Sequence, residues 1–136
     1  MKIHTTNYID TFIEVAEDTG VSKGNIPPKR DRKTIAEIQY EIISQFPYKY
    51  TSDELLFKIY AERNALTEEV YEEARRIFFS KGQACLRASP LTKKYGFGIH
   101  SDHEGKVALY GMETKEYLNF LNDTKIKKVK AMKSNR

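Results

Sequence analysis

The alternation of apolar and polar positions predicts a short strand near the start of the chain. Within residues 8–16, YIDTFIEVA, Phe12 and Glu14 fall on one side of an extended backbone and Ile13 falls on the other. Residues 18–33 then carry two glycines, a Pro-Pro pair and a basic cluster. Such a composition predicts a long loop.

Three helices are predicted between this loop and residue 82. Thr34 and Thr51 are each followed three residues later by a glutamate, which is the capping-box pattern of a helix start. A third helix is expected to begin at Leu66-Thr67 and to end at Gly82. The apolar stripes expected to face the core are Ile35, Ile38 and Ile42, then Leu55, Leu56, Ile59 and Tyr60, and finally Val70, Ala74, Ile77 and Phe78.

The second half of the chain is predicted to be rich in strands. Residues 83–88, QACLRA, are interpreted as a strand, and Ser89 with the following proline as the start of a short helix. Residues 97–102 and 106–111 predict a hairpin, and Thr114 begins a last helix. The expected fold is a single α+β domain with a small antiparallel sheet that includes this hairpin, three central helices and one C-terminal helix.

The turn DHEGK sets the register of the hairpin. Asp102 suits the first position of a type I turn, and Gly105 suits the left-handed residue after it. One face of the hairpin is then predicted to point to the core, with Phe97, Ile99, Val107 and Leu109. The other face carries Gly98, His100, Asp102, Ala108 and Tyr110, and the Tyr110 ring is expected to cover Gly98.

This second face is the predicted binding site. Strand alternation places Arg87 and Glu14 on the same side as His100 and Tyr110, where the small Ala108 leaves room. We therefore expect a shallow polar pocket that binds a polar or anionic small molecule.

A catalytic interpretation of the same face is the alternative. His100 and Asp102 share a face, and a histidine oriented by a carboxylate is a general-base arrangement. Ser101 points to the opposite face, so these residues form no nucleophilic triad. In the simpler interpretation Asp102 caps its own turn and His100 is a half-buried residue of the sheet.

The motifs predict neither a metal nor a cofactor. His100, Asp102 and His103 have poor spacing for ligands, and the chain has no CxxC, HExxH or EF-hand pattern. YGFG is not the GxGxxG pattern, and no glycine-rich loop joins a strand to a helix.

Composition narrows the class and the compartment. The 136 residues fit one domain, and no apolar run approaches the ~20 residues that a membrane-spanning helix needs. No membrane association is expected. The first residues lack the pattern of a signal peptide, and Cys85 is the one cysteine, so we expect a cytoplasmic protein.

Charge separates the chain into two predicted parts. Residues 125–136 carry five lysines, one arginine and no acid, so the net charge of +4 leaves −2 on residues 1–124. We expect a domain over 1–124 and a basic, flexible tail over 125–136. The tail is the part that can touch nucleic acid. Three helices before a hairpin suggest a winged helix, but the third begins TEEVYEE, whose glutamates would repel phosphates.

Several phrases together resemble a family of small bacterial proteins known only as a domain of unknown function. They are HTTNY, KTIAEIQYE, YTSDELLF, FFSKGQACLRASPL and YGFGIHSDHEGKVALY. The resemblance extends from about His4 to the last helix and excludes the basic tail. It implies a bacterial, cytosolic, single-domain protein and no particular activity. The residues of the hairpin face, not the resemblance, give the expected function: a binding or regulatory module for a polar or anionic small ligand, with a small enzyme that uses His100 or a nucleic-acid-binding protein as alternatives.

Overall fold

Four short strands form one mixed sheet in the computed structural model, which describes residues 2–134. The strands are β1 (Thr11–Glu14), β2 (Phe97–Ser101), β3 (Val107–Gly111) and β4 (Lys127–Lys130), and their order across the sheet is β3-β2-β1-β4. β2 is antiparallel to both β1 and β3, whereas β4 is parallel to β1. The α+β class is confirmed, but the sheet is mixed rather than antiparallel.

Five α-helices accompany the sheet in the described residues. They are α1 (Ile35–Gln45), α2 (Ser52–Arg63), α3 (Tyr71–Phe78), α4 (Pro90–Lys93) and α5 (Lys115–Asn122), with 3₁₀ turns at Glu68–Val70 and Leu86–Ala88. Four predicted helix starts are confirmed, because the hydroxyls of Thr34, Thr51, Ser89 and Thr114 each accept a hydrogen bond from a backbone N–H of the first turn. The helix predicted from Leu66-Thr67 to Gly82 is shorter, since a 3₁₀ turn follows Thr67 and α3 covers only Tyr71–Phe78. None of the helices in residues 2–134 is both long and apolar enough to cross a membrane.

The aliphatic core lies on one side of the sheet, which we call the helical face. Ile13, Ile99 and Val107 point from the strands into a cluster with Ile43 of α1 and Leu55 of α2. Each predicted stripe is partly wrong, because Ile35 of the first and Tyr60 of the second are 37% and 41% exposed. In the third stripe Val70 and Ile77 are 45% and 51% exposed. α3 instead packs through Phe78 and Phe79 into a smaller cluster with Phe57 and Ala61 of α2.

The strand predicted over residues 83–88 is wrong. Cys85 precedes the 3₁₀ turn at Leu86–Ala88, and Leu86 is buried in the aliphatic core. The Thr92 hydroxyl donates to the Leu86 carbonyl over 2.9 Å, which ties the turn to α4. One buried leucine among small and polar residues is compatible with either conformation, so the pattern could not distinguish them.

The predicted tail also differs from the structure. Residues 127–130 form β4, whose Ala131 neighbour is buried in the aliphatic core. The boundary expected at residue 124 therefore separates strands of the same sheet; residues 135 and 136 lie outside the described residues.

The chain has to cross the sheet to reach β4. β3 and β4 are the two edge strands and run parallel, so the connection through α5 passes over β2 and β1. α5 covers the side opposite the helical face, which we call the α5 face. This is the side that carries His100, Tyr110 and Glu14 of the predicted binding residues.

Candidate functional site

The hairpin register is confirmed residue by residue. Gly98 pairs with Tyr110, Ile99 with Leu109 and His100 with Ala108. Gly105 has φ +80°, as the three-residue turn requires. The Asp102 Oδ1 accepts the backbone N–H groups of Glu104 and Lys106, each over 2.9 Å. Asp102 therefore caps its own turn, as the simpler interpretation expected.

His100 and Tyr110 meet at a third residue, Tyr48. The Tyr48 hydroxyl lies 2.8 Å from His100 Nδ1 and 2.8 Å from the Tyr110 hydroxyl. A neutral imidazole can accept the Tyr48 proton at Nδ1, and the Tyr48 oxygen can accept the Tyr110 proton. These three side chains form a continuous hydrogen-bonded chain, which we call the tyrosine–histidine network.

Tyr48 reaches the α5 face from the loop between α1 and α2. This loop follows the outer edge of β3, where the Tyr48 N–H donates to the Val107 carbonyl and the Val107 N–H donates to the Tyr50 carbonyl, each over 2.9 Å. Tyr48 has φ +59°, a conformation that L-residues rarely adopt. The backbone pairing and the side-chain network hold it there together.

Aromatic rings of α5 cover the network. The Phe120 ring stacks on His100, with 4.3 Å between centroids and 24° between planes, and also stacks on Phe12. The Tyr117 ring meets Phe12 edge to face. The space over Gly98 is taken by Phe12 and Tyr117, since a Cβ there would lie 2.7 Å from Tyr117 Cε2. The expectation that Tyr110 covers Gly98 is therefore wrong.

Burial sets the protonation of the network. It lowers the pKa of His100, although Asp102, Asp10 and Asp123 act in the opposite direction. Burial also raises the pKa of Tyr48 strongly, and its hydrogen bond to Tyr110 adds to the shift. Both groups therefore stay neutral near neutral pH, and three nearby carboxylates make the surroundings unfavourable for an anion.

The remaining predicted site residues do not join this network. The Arg87 Nε donates to the Lys130 carbonyl over 2.7 Å, and the Arg87 carbonyl accepts from the Met132 N–H over 2.8 Å. Arg87 thus covers the outer edge of β4. Glu14 lies on the α5 face opposite Lys130, two residues along β1 from Phe12. The predicted pocket of Glu14, Arg87, His100 and Tyr110 is not formed, because Arg87 comes from a turn rather than from a strand.

Surface cavities of about 290, 330 and 650 Å³ lie among residues 2–134, and His100 is not one of the residues that line these three. Those residues contain no group of three or more His, Cys, Asp or Glu side chains placed to hold a metal ion. The tyrosine–histidine network joins the α1–α2 loop to β2 and β3 beneath α5.

The 330 Å³ cavity, which we call the α1–α2 groove, is mainly apolar. It is lined by Ile35 and Gln39 of α1, by Leu56, Ile59, Tyr60, Arg63 and the following Asn64 of α2, and by Phe78, Gln83 and Ala84. Ile59 is buried in the core, whereas Ile35, Tyr60 and Ala84 are exposed at the rim. The groove is thus an opening in the surface that reaches the aliphatic core.

Gln39 is a buried polar residue in this apolar lining. It is 4% exposed, and its Oε1 accepts the Ser89 hydroxyl proton over 2.6 Å. No residue in the described range hydrogen-bonds to its amide nitrogen. The nitrogen is not fully enclosed, since it is not one of the buried side-chain atoms that lack a partner in this part of the chain. It therefore takes its hydrogen-bond partner from water or from a ligand. The groove is where that partner can enter.

The other two cavities are built differently. The 650 Å³ cleft between the N-terminal segment and α3 is lined by acids and arginines together. Its buried carboxylate, Asp53, already accepts hydrogen bonds from the Thr5 and Thr6 hydroxyls and the Thr6 N–H. The 290 Å³ cavity lies beside β3 at Leu109 and Tyr110.

Sequence reasoning missed Tyr48 and Gln39. Tyr48 follows Pro47 in a short connection, and no local pattern indicates that its hydroxyl reaches the hairpin. Gln39 did leave a signal, because it lies at i+4 from Ile35 on the predicted apolar stripe of α1. A polar residue on a buried stripe has to be given a partner within the protein or a ligand.

The fold and the groove define the class as a single-domain α+β protein with a mixed four-stranded sheet and an open apolar groove. The chain belongs to a family of unknown function, DUF6157, whose model matches residues 3–136. The resemblance drawn from the sequence is confirmed, and the match includes the basic segment. No curated protein and no solved structure matches the chain.

Proposed function

We propose that this protein is a binding module for a small ligand, and that the ligand lies in the α1–α2 groove rather than against His100. The observation that carries the proposal is the Gln39 side chain, which is 4% exposed in the lining of a mainly apolar cavity and whose amide nitrogen has no hydrogen-bond partner among the described residues. Ligand sites commonly combine an apolar lining with a few placed polar groups.

The size and lining of the groove support this function. A volume of about 330 Å³ falls at the lower end of the range typical for small-molecule pockets. Leu56 and Ile59 offer an aliphatic floor, and the Tyr60 and Phe78 rings lie 4.7 Å apart at one side. Exposed apolar area of this kind costs free energy in water, and a ligand that covers it recovers part of that cost.

The alternatives receive less support. For a His100 enzyme, a substrate would have to displace Phe120, and the Nδ1 atom is already engaged by Tyr48. For a nucleic-acid-binding protein, the lysines at 130 and 133 are paired with Glu17.

We further propose a cytoplasmic location in bacteria, which fits the free thiol of Cys85.

Binding of indole, a small neutral probe, tests the proposal. Titration of the protein with indole should shift the NMR signals of the Leu56 and Ile59 methyl groups. In Ala84→Trp a large side chain added at the exposed rim should fill the groove and abolish those shifts.

Ser44→Trp is the matched control, because Ser44 is exposed and lines the separate 290 Å³ cavity beside β3. It should leave the indole shifts unchanged. Shifts that persist in Ala84→Trp, or that fail to appear in the wild-type protein, would contradict binding in this groove.

A further inference from the structure

We infer that the ligand of the α1–α2 groove is a small carboxylic acid with an apolar body, whose carboxylate pairs with Arg63; this inference rests on the proposed function. Of the residues in 2–134 that line the groove, Arg63 alone carries a charge. A single cation at the rim of an otherwise uncharged cavity selects for one anionic group on the ligand.

Arg63 is free to serve this role. Its guanidinium forms no hydrogen bond or ion pair with another residue of the described chain. The adjacent acid, Glu62, is engaged elsewhere, since its carboxylate lies 3.1 Å from Lys58 Nζ. The planar guanidinium has two parallel N–H groups that match the two oxygens of a carboxylate.

The position of Arg63 has a second explanation, and the experiment has to distinguish it from ligand binding. It lies in the last turn of α2, where a cation interacts favourably with the helix dipole whether or not a ligand is present. In that case Arg63 would affect stability and leave ligand selectivity unchanged.

The depth of the groove limits the rest of the ligand. Between the exposed Arg63 and the buried Gln39 the lining offers Leu56, Ile59 and the rings of Tyr60 and Phe78. A short alkyl or aryl body fits these surfaces, whereas a second charge would be buried without a partner. The Gln39 amide can donate to or accept from one uncharged polar atom near the inner end.

A matched series of hexanoate, hexanamide and hexylamine tests the charge. We expect hexanoate to shift the groove signals with on the order of tenfold or higher affinity than hexanamide, because a charged hydrogen bond is stronger than a neutral one. Hexylamine should bind more weakly than either. Arg63→Met keeps an apolar stem of similar length and should abolish the advantage of hexanoate over hexanamide.

Lys58→Met is the control, since it removes the same charge from α2 at a residue outside the groove lining. It should keep the preference for hexanoate. Equal affinities for hexanoate and hexanamide in the wild-type protein, or an unchanged preference in Arg63→Met, would overturn the carboxylate inference while groove binding still stands. If none of the three compounds shifts the groove signals and indole also fails, the proposed function itself is overturned.

Discussion

The two faces of the sheet are buried by different means. The helical face presents Ile13, Ile99 and Val107 to helices that lie between β1 and β2 in the chain, and its contacts are aliphatic. The α5 face presents Phe12, Gly98, His100 and Tyr110 to a single helix, and its contacts are aromatic rings joined by hydrogen bonds. Yet Phe12 is as fully buried as Ile99, at 0% exposed.

This difference shows how a polar-looking face can become a second core. A histidine and a tyrosine on one face of a hairpin suggest full contact with water, but each is only partly exposed here because its polar atom has a partner. Tyr48 supplies that partner to both residues. Ala108, expected to leave space beside His100, is itself only 2% exposed.

The largest expected effect comes from removing the strand that completes the α5 crossover. A chain shortened to residues 1–124 loses β4 and the buried Ala131, so its free energy of unfolding should fall by more than the ~2–5 kcal/mol of a single core truncation. Urea denaturation measures the loss. A chain that lacks only residues 133–136 is the control and should change little, since the ion pair of Lys133 with Glu17 is exposed. If the chain 1–124 is as stable as the full chain, residues 125–136 do not contribute to the sheet and the prediction of a flexible tail is supported.

A smaller effect is expected from Tyr48→Phe. This substitution tests whether the α5 face depends on hydrogen bonds, as an ordinary apolar core would not. Loss of the hydroxyl leaves both His100 Nδ1 and the Tyr110 hydroxyl without their partner, and should cost ~1–3 kcal/mol. Tyr110→Phe removes one end of the network and should cost less, ~0.5–1.5 kcal/mol. Denaturant titration of both variants compares them. A larger cost for Tyr110→Phe would show that Tyr48 does not join the two residues.

The smallest expected effect is a pH dependence specific to the α5 face. Because burial lowers the pKa of His100 in the folded protein, the unfolded chain takes up its proton first as the pH falls. The stabilisation is complete above an unfolded pKa of about 6.5 and is lost as the pH falls through the folded pKa. His100→Gln should therefore lose less stability than the wild type between about pH 7.5 and about pH 5.

His103→Gln is the control for that pH series, because this histidine lies exposed in the hairpin turn. Its unfolding free energy should follow the wild-type curve. A wild-type protein that gains stability relative to His100→Gln on acidification would mean that the carboxylates of Asp102, Asp10 and Asp123 outweigh burial.

Local signals predicted much of the fold because they act over a few residues. The hydroxyl caps at Thr34 and Thr51 and the turn at Asp102 and Gly105 fixed the helix starts and the hairpin register. The helical face followed from the alternation in the hairpin. These features need no knowledge of distant parts of the chain.

The site depended on information that local patterns do not contain. β4 is an edge strand rich in lysine. Lysines on an edge strand are typical because they prevent aggregation, but in the sequence the same composition is also typical of a solvated tail. Because residues 125–136 were interpreted as a tail, no connection from β3 across the sheet to β4 was predicted. The α5 face was therefore expected to be open to solvent. A period of two does remain at Val129 and Ala131, on either side of Lys130. Arg87 was misplaced for the complementary reason, since its turn was interpreted as a strand.

The pairing of β1 with β4 also has a consequence for how the protein folds. Thr11 lies in register with Lys127, and the Lys127 N–H donates to the Asp10 carbonyl over 3.0 Å, so β1 is joined to a position at the opposite end of the described chain. A pairing between such distant positions requires closure of a very long loop. This lowers the expected folding rate. During synthesis on the ribosome, the Phe12 ring stays exposed until residues 115–130 have been made and can cover it. Until then the aromatic surface is available to chaperones and to other nascent chains.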